Sequence, residues 1–244
     1  MLFLGFNTAR PALSDAAFRA ALGTAFDRDA IVTTLLAGHA AAAQFPLSPV
    51  SPLYPVALET VYENGAYEAA LEALAAPVAV GAEPAEPEAA ELTLLVNAEN
   101  SFKVAVAEYL ARALTESYVA VTPLVLPWTD YLAALEGGDF DLWLGEVRLT
   151  ADWDVTPLIG AGGALNYGGY ADAATDAALK AFLADENEST AAALCERLAE
   201  EAPILPIVFK TVPVLTPEGA ISGVSPTAAQ PLRSLEHWTF RFPR

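Results

Sequence analysis

Residues 92–144 alternate between short hydrophobic runs and segments of helical period, and few folds accommodate that alternation. A strand is expected over 92–96. Val106, Leu110, Ala113 and Leu114 then share one helical face, and a second strand covers 119–126. Thr129 is expected to cap a short helix bearing Tyr131, Leu132 and Leu135, and a third strand covers 140–144 after Gly137 and Gly138. Strand, helix, strand, helix, strand predicts an α/β fold with a mainly parallel sheet flanked by helices and joined by right-handed crossovers. Pro123 cannot donate to a ladder, so its strand belongs near an edge.

The flanking segments extend this pattern. Residues 2–6 read as another strand ending at Asn7, after which Pro11 blocks regular structure. Ser14 caps a helix over 15–26 in which Phe18, Leu22 and Ala25 share a face. Asp27 caps a second helix, with Ile31, Val32, Leu35 and Leu36 as its buried stripe and Gly38 as its end. The prolines of FPLSPVSPLYP, residues 45–55, force an extended connection. Asn64 and Gly65 precede a helix whose Tyr67, Ala70, Leu71 and Leu74 face one way up to Pro77. Residues 77–90, built of Ala, Pro and Glu without periodicity, read as a mobile loop. Later, Ala178, Leu179, Phe182 and Leu183 mark one helix, and Leu194, Arg197 and Leu198 mark another that stops before Pro203. Short strands at 204–209 and 212–215 contain Pro206 and Pro213, which place them at edges. The tail is irregular up to an aromatic cluster of Trp238, Phe240 and Phe242.

Composition removes several function classes. A net charge of −19 argues against nucleic acid or anionic lipid as partner, because both require Lys and Arg to neutralise phosphates. The single cysteine, Cys195, excludes an internal disulfide, and its helical spacing with Leu194 and Leu198 makes it a core thiol. His39 and His237 do not form a metal-binding pattern, and no nucleophile elbow, P-loop or His-bearing metal motif is present. MLFLGFN has no basic region and is too short for a signal peptide, and no later run reaches the length of a membrane span.

The segment after the 140–144 strand concentrates ligand chemistry. Asp152, Trp153 and Asp154 put two carboxylates beside an indole, and a glycine-rich stretch leads to Asn166, Tyr167 and Tyr170. In α/β folds ligands gather beyond the carboxyl ends of strands, which is where a strand leaving Gly145 delivers Asp152 and Trp153. Each residue also has a structural alternative. Asp152 or Asp154 can cap a turn, Trp153 can cover the end of the sheet, and Tyr131 can pack in the core one helical turn from Leu135.

Several segments together resemble family 5 extracytoplasmic solute-binding proteins. In FNTARPALSDAAFRAALGTAFDRDAIVTTLLAG the matching residues are Phe6, Asn7, Asp15, Arg19, Ala21, Leu22, Ala25, Asp27 and Arg28. YENGAYEAALEALAA, GGDFDLWLGEVRLTADWD, NYGGYADAATDAAL and EEAPILPIVF resemble later elements of that family, in its order. The resemblance implies a type II periplasmic-binding-protein-like lobe over residues 1–210. It also implies a tail, 211–244, that in complete members rejoins the first lobe. On this expectation the chain is the C-terminal half of a receptor serving an ABC importer. The N-terminal lobe, signal peptide and lipid anchor would lie outside it, the location would be extracytoplasmic, and the partners would be a small solute such as a peptide and a membrane permease.

The resemblance also implies site residues. In peptide-binding members an aspartate of a motif similar to A-D-Y-x-D-P holds the ligand's α-ammonium, and Ala151, Asp152 and Trp153 match the start of that motif. Asp154, Val155 and Thr156 then intervene before Pro157. Trp128 and Tyr131 resemble an aromatic segment that lines the cleft, with Asn166 and Tyr167 as further ligand-binding candidates. Dipeptide-binding members place an arginine after the strand matching 92–96, whereas NAENSFK at 97–103 has none. The alternatives are an interaction domain derived from the same lobe, or a hydrolase using Asp152 and Asp154 as paired carboxylates. The second of these requires two carboxyl groups on opposite sides of a bond.

Overall fold

The computed structural model describes residues 1–75, 90–116, 118–211, 218–227 and 230–241. The 77–89 part of the expected loop, the 212–215 strand and Phe242 of the aromatic cluster lie outside the described residues, while Ala90 begins a strand. The chain divides into two units, Met1–Phe209 and Lys210–Arg244.

The chain opens with strand β1 (Leu2–Phe6). Pro11 then starts a helix instead of preventing one. Helix α1 (Pro11–Ser14) places the proline in its first turn, where a missing N–H costs no intrahelical bond. Ser14 ends that helix, its hydroxyl donating to Pro11 O, and Asp15 rather than Ser14 caps α2 (Ala16–Leu22) by accepting from Ala17 N–H at 2.8 Å. Asp27 caps α3 (Arg28–Ala30) through Ala30 N–H, as its position suggested. The helix then widens into a π turn over Ile31–Leu35, and strand β2 (Ala40–Ala42) follows. Residues 45–55 contain no helix. They are nonetheless packed, with Phe45, Leu47 and Tyr54 buried.

The central alternation is present as α4 (Tyr67–Ala75), β3 (Ala90–Asn97), α5 (Ser101–Leu114), β4 (Val119–Leu126), α6 (Trp128–Gly137) and β5 (Leu142–Glu146). The strand expected at 140–144 begins two residues late. Phe140 O is taken by Asn7 Nδ2 at 3.0 Å and by Arg10 Nε at 3.2 Å, and the Asp141 carboxylate accepts both the N–H and the hydroxyl of Thr93. Thr129 does not cap α6, whose N-cap position is Pro127. Helices α7 (Thr156–Ile159), α8 (Ala173–Ala184) and α9 (Glu188–Glu201) precede strand β6 (Ile204–Lys210).

The sheet has the order β2-β6-β1-β5-β3-β4. Strand β3 pairs parallel with β4 and β5, whereas β1 pairs antiparallel with both β5 and β6. It follows that β3, β4, β5 and β6 run in one sense and β1 runs against them. The sheet is therefore mixed, and its parallel character comes from strands that follow crossover helices. Pro123 lies in edge strand β4, where the absent donor is harmless. Pro206 does not mark an edge. Its strand lies between β2 and β1, and the register with β1 shifts between Leu2 and Phe3, a bulge that absorbs the missing N–H.

Side chains alternate across the sheet with period two. Leu2, Leu4, Phe6, Leu92, Leu94, Val96, Leu142 and Leu144 enter one core with residues of α2, α4 and α5. Phe3, Leu95 and Trp143 enter the opposite core with residues of α6, α8 and α9, including the buried Cys195. Gly5 shares the face of Phe3 and makes room for the indole of its cross-strand partner Trp143, which a Cβ there would meet at 2.1 Å. Among the described residues, no helix is long and apolar enough to cross a membrane. In the second unit, β7 (Ile221–Ser222) pairs antiparallel with β8 (Thr239–Phe240), and the Trp238 and Phe240 rings lie 6.3 Å apart.

Candidate functional site

Strands β3, β4 and β5 end at one edge of the sheet, which carries the loops after Asn97, Leu126 and Glu146. The first turns of α5 and α6 start here, so backbone donors and helix dipoles favour negative groups at this edge. The edge is bound together by side chains. The buried Asn97 donates to Glu99 Oε2 at 2.6 Å, Glu99 Oε1 accepts the backbone N–H of Trp128 at 2.9 Å, and Lys103 pairs with Glu146 at 3.2 Å. None of Glu99, Lys103 or Glu146 was singled out from the sequence. Glu99 lies three residues beyond the expected 92–96 strand, and a strand's carboxyl end was the available signal.

Asp152 sits in the loop after β5 with its side chain exposed. A hydrogen bond from the Thr150 hydroxyl, supported by backbone N–H groups, holds its carboxyl below the usual carboxylate range. The next residue has an unusual backbone. Trp153 adopts φ of 55°, a left-handed conformation that costs a bulky residue roughly 1–2 kcal/mol, and its N–H donates to Thr150 O at 3.2 Å. The turn leaves the Asp152 carboxylate in solvent and turns the half-buried indole edge-on to Phe209 at the end of β6, 5.9 Å away. Asp154 is used structurally, its Oδ1 accepting Thr156 N–H at 2.8 Å as α7 begins.

Trp128 is 55% exposed and stacks on Tyr131, with ring centroids 5.7 Å apart and 26° between planes. Tyr131 is buried. Its hydroxyl donates to Leu144 O at 3.2 Å, and burial pushes its ionisation well above the usual tyrosine range. Asn166 and Tyr167 are placed elsewhere. Asn166 knits its own loop, donating to Gly160 O and Tyr170 O and accepting from Tyr170 N–H. That loop docks where β1 ends, with Gly168 O accepting the N–H and hydroxyl of Thr8, so it faces the start of β5 rather than its carboxyl end. Tyr167 packs edge-on against Trp143 at 5.6 Å. The structure thus brings Trp128, Asp152 and Trp153 to one edge and turns Tyr131 and Asn166 to support. His39 and His237 are both exposed, and among the described residues no group of His, Cys, Asp and Glu is arranged to hold a metal ion.

This architecture matches that of periplasmic binding proteins. The oligopeptide-binding protein AppA from Bacillus subtilis, solved with a nonapeptide, superposes with a TM-score of 0.72 at 20% identity, covering 99% of this chain and 50% of that one. A mannohexaose-bound periplasmic oligopeptide-binding protein from Thermotoga maritima gives 0.74 at 19% identity, covering 94% and 47%. NikZ from Campylobacter jejuni, in complex with Ni(L-His), gives 0.71 at 17% identity, covering 98% and 51%. The chain therefore spans about half the length of these similar structures. No curated protein matches the sequence significantly. Residues 1–164 match the family described as bacterial extracellular solute-binding proteins, family 5 Middle, and the chain belongs to that family.

Proposed function

We propose that the chain supplies one lobe of an extracytoplasmic receptor that captures a peptide for an ABC importer and performs no chemistry on it. Residues 1–209 form the lobe, and the carboxyl edge of the sheet is its binding face. A second lobe encloses the ligand by hinge closure, and the closed form is presented to a membrane permease. The observation that carries this reading is the exposed Asp152 carboxylate, which a left-handed turn at Trp153 leaves in solvent at the edge where α/β folds bind ligands.

Asp152 accepts the ligand's α-ammonium, while Trp153 next to it and Trp128 after β4 supply flat apolar surface along the same edge. The net charge of −19 favours a cationic group through the summed field of the surface. The peptide is preferred to a metal chelate or a sugar because an exposed carboxylate on an edge that also carries two indoles suits an ammonium on an apolar chain. Asp154 already serves Thr156 N–H, which weighs against its pairing with Asp152 as hydrolytic carboxylates.

The test is isothermal calorimetry of the full-length gene product against short peptides, nickel-histidine complexes and oligosaccharides. A peptide should bind, with an affinity at least about tenfold weaker in Asp152→Ala, the size expected when a charge-assisted contact is lost. Equal peptide affinity in the variant would remove Asp152 from the site, and binding of only the chelate or the sugar would replace the solute class.

A further inference from the structure

Helix α6 lacks a cap of its own. Its N-cap is Pro127, which has neither a side-chain acceptor nor an N–H, and Thr129 lies inside the helix. The acceptor comes from across the edge. Glu99, on the loop after β3, takes Trp128 N–H with Oε1 and Asn97 Nδ2 with Oε2. A parallel backbone bond, Ala98 N–H to Leu126 O at 2.8 Å, ties the same two loops one residue away. The indole of Trp128 is held on its other side by Tyr131, which β5 fixes through Leu144 O. An aromatic group more than half exposed is thus restrained through its backbone and through its ring.

We propose that Glu99 is a positioning residue for ligand binding, acting as a cap supplied across the edge that fixes the Trp128 indole as a preformed wall. This rests on the reading of Trp128 as part of the binding face. A negative side chain at the first turn is favoured by the helix dipole. The gain for a ligand is entropic, because the indole loses little freedom when something stacks on it. Glu99 acts through Trp128, so its contribution to affinity exists only while the indole is present.

The test combines fluorine NMR of 5-fluorotryptophan-labelled protein with calorimetry, using the full-length gene product. Trp128→Phe identifies the Trp128 resonance. In ligand-free protein, Glu99→Ala should shift and broaden that resonance while Trp143 and Trp153 stay in place, which also shows that the fold is intact. Glu99→Gln should restore it, because the amide oxygen still accepts the Trp128 N–H. With a peptide found to bind, Glu99→Ala should weaken affinity about tenfold. It should cost nothing further in a Trp128→Ala background.

An unmoved Trp128 resonance in Glu99→Ala overturns the proposal, as does an equal loss of affinity with and without the indole. If Trp128→Ala leaves peptide affinity unchanged while Glu99→Ala still moves the resonance, the binding role of both residues is overturned. Glu99 then remains only a helix cap. That outcome is separate from failure of the peptide reading itself, which the Asp152→Ala titration reports.

Discussion

Arg19 and Arg28 are buried in the signature that runs from Phe6 to Arg28, whereas Glu99 and Asp152 stand exposed at the carboxyl edge of the sheet. The arginines collect backbone carbonyls. Arg19 donates to Leu13 O and Ser14 O at the end of α1, and to Glu201 O and Ala202 O at the end of α9. Arg28 donates to Gly23 O and to Pro206 O beside the β6 bulge, with its guanidinium 4.5 Å from the Phe26 ring and 5.2 Å from that of Tyr62. Burial lowers its pKa to about 10, so it remains charged at neutral pH. The carboxylates at the edge do the reverse, accepting a few local donors and leaving lone pairs for solvent or ligand. The stretch that resembles the family motif thus holds the unit Met1–Phe209 together, and the part proposed to meet solute is less patterned.

That contrast can be broken most sharply at Arg19. Replacing it with Met should strand four carbonyls at two helix ends and cost about 3–5 kcal/mol in urea unfolding. A loss below about 1 kcal/mol would show that the signature is not structural.

Asp152→Ala should behave oppositely, lowering the urea midpoint only slightly, through the lost Thr150 and backbone contacts, while weakening peptide binding. Its pH dependence has a definite sign. Because the carboxyl is held below the usual range, an ammonium ligand should stay bound as acid titrates ordinary carboxylates, and be released only as pH falls through the depressed value. Release beginning within the ordinary carboxylate range, in calorimetry across pH, would contradict the role given to Thr150.

Asp172 provides a smaller, purely structural counterpart. It caps α8 by accepting the N–H and hydroxyl of Thr175, and it pairs with Arg197 of α9 at 3.0 Å. These contacts, Thr175 first and then Arg197, lower its pKa. Asp172→Ala should cost about 1 kcal/mol near neutral pH. The contribution is complete above the unfolded carboxylate pKa and vanishes as pH falls through the lower folded one, so wild type and variant should converge in acid. The smallest effect belongs to Cys195→Ala, which should cost about 1 kcal/mol or less and leave affinity unchanged. Burial raises the thiol's pKa far above its ordinary range, so the native protein should resist thiol reagents until it unfolds.

The sequence by itself determined whatever is encoded within a few residues. The alternation over residues 92–144, the buried stripe of α5, the edge position of Pro123, the cap at Asp27 and the core placement of Cys195 all follow from local period, local sterics or a short side chain reaching its own backbone. The tertiary structure decided what needs distant partners. Strand β1 enters antiparallel between β5 and β6, Pro206 finds a bulge inside the sheet, and Asn7 stops β5 from starting at Phe140. The same limit applies to the proposed binding edge. Glu99 and Trp128 are 29 residues apart, Arg19 and Ala202 are 183 apart, and no periodicity links either pair. Their hydrogen bonds exist because the sheet places separate loops side by side, and once it does, buried or edge-facing backbone groups take whichever polar side chain can reach them.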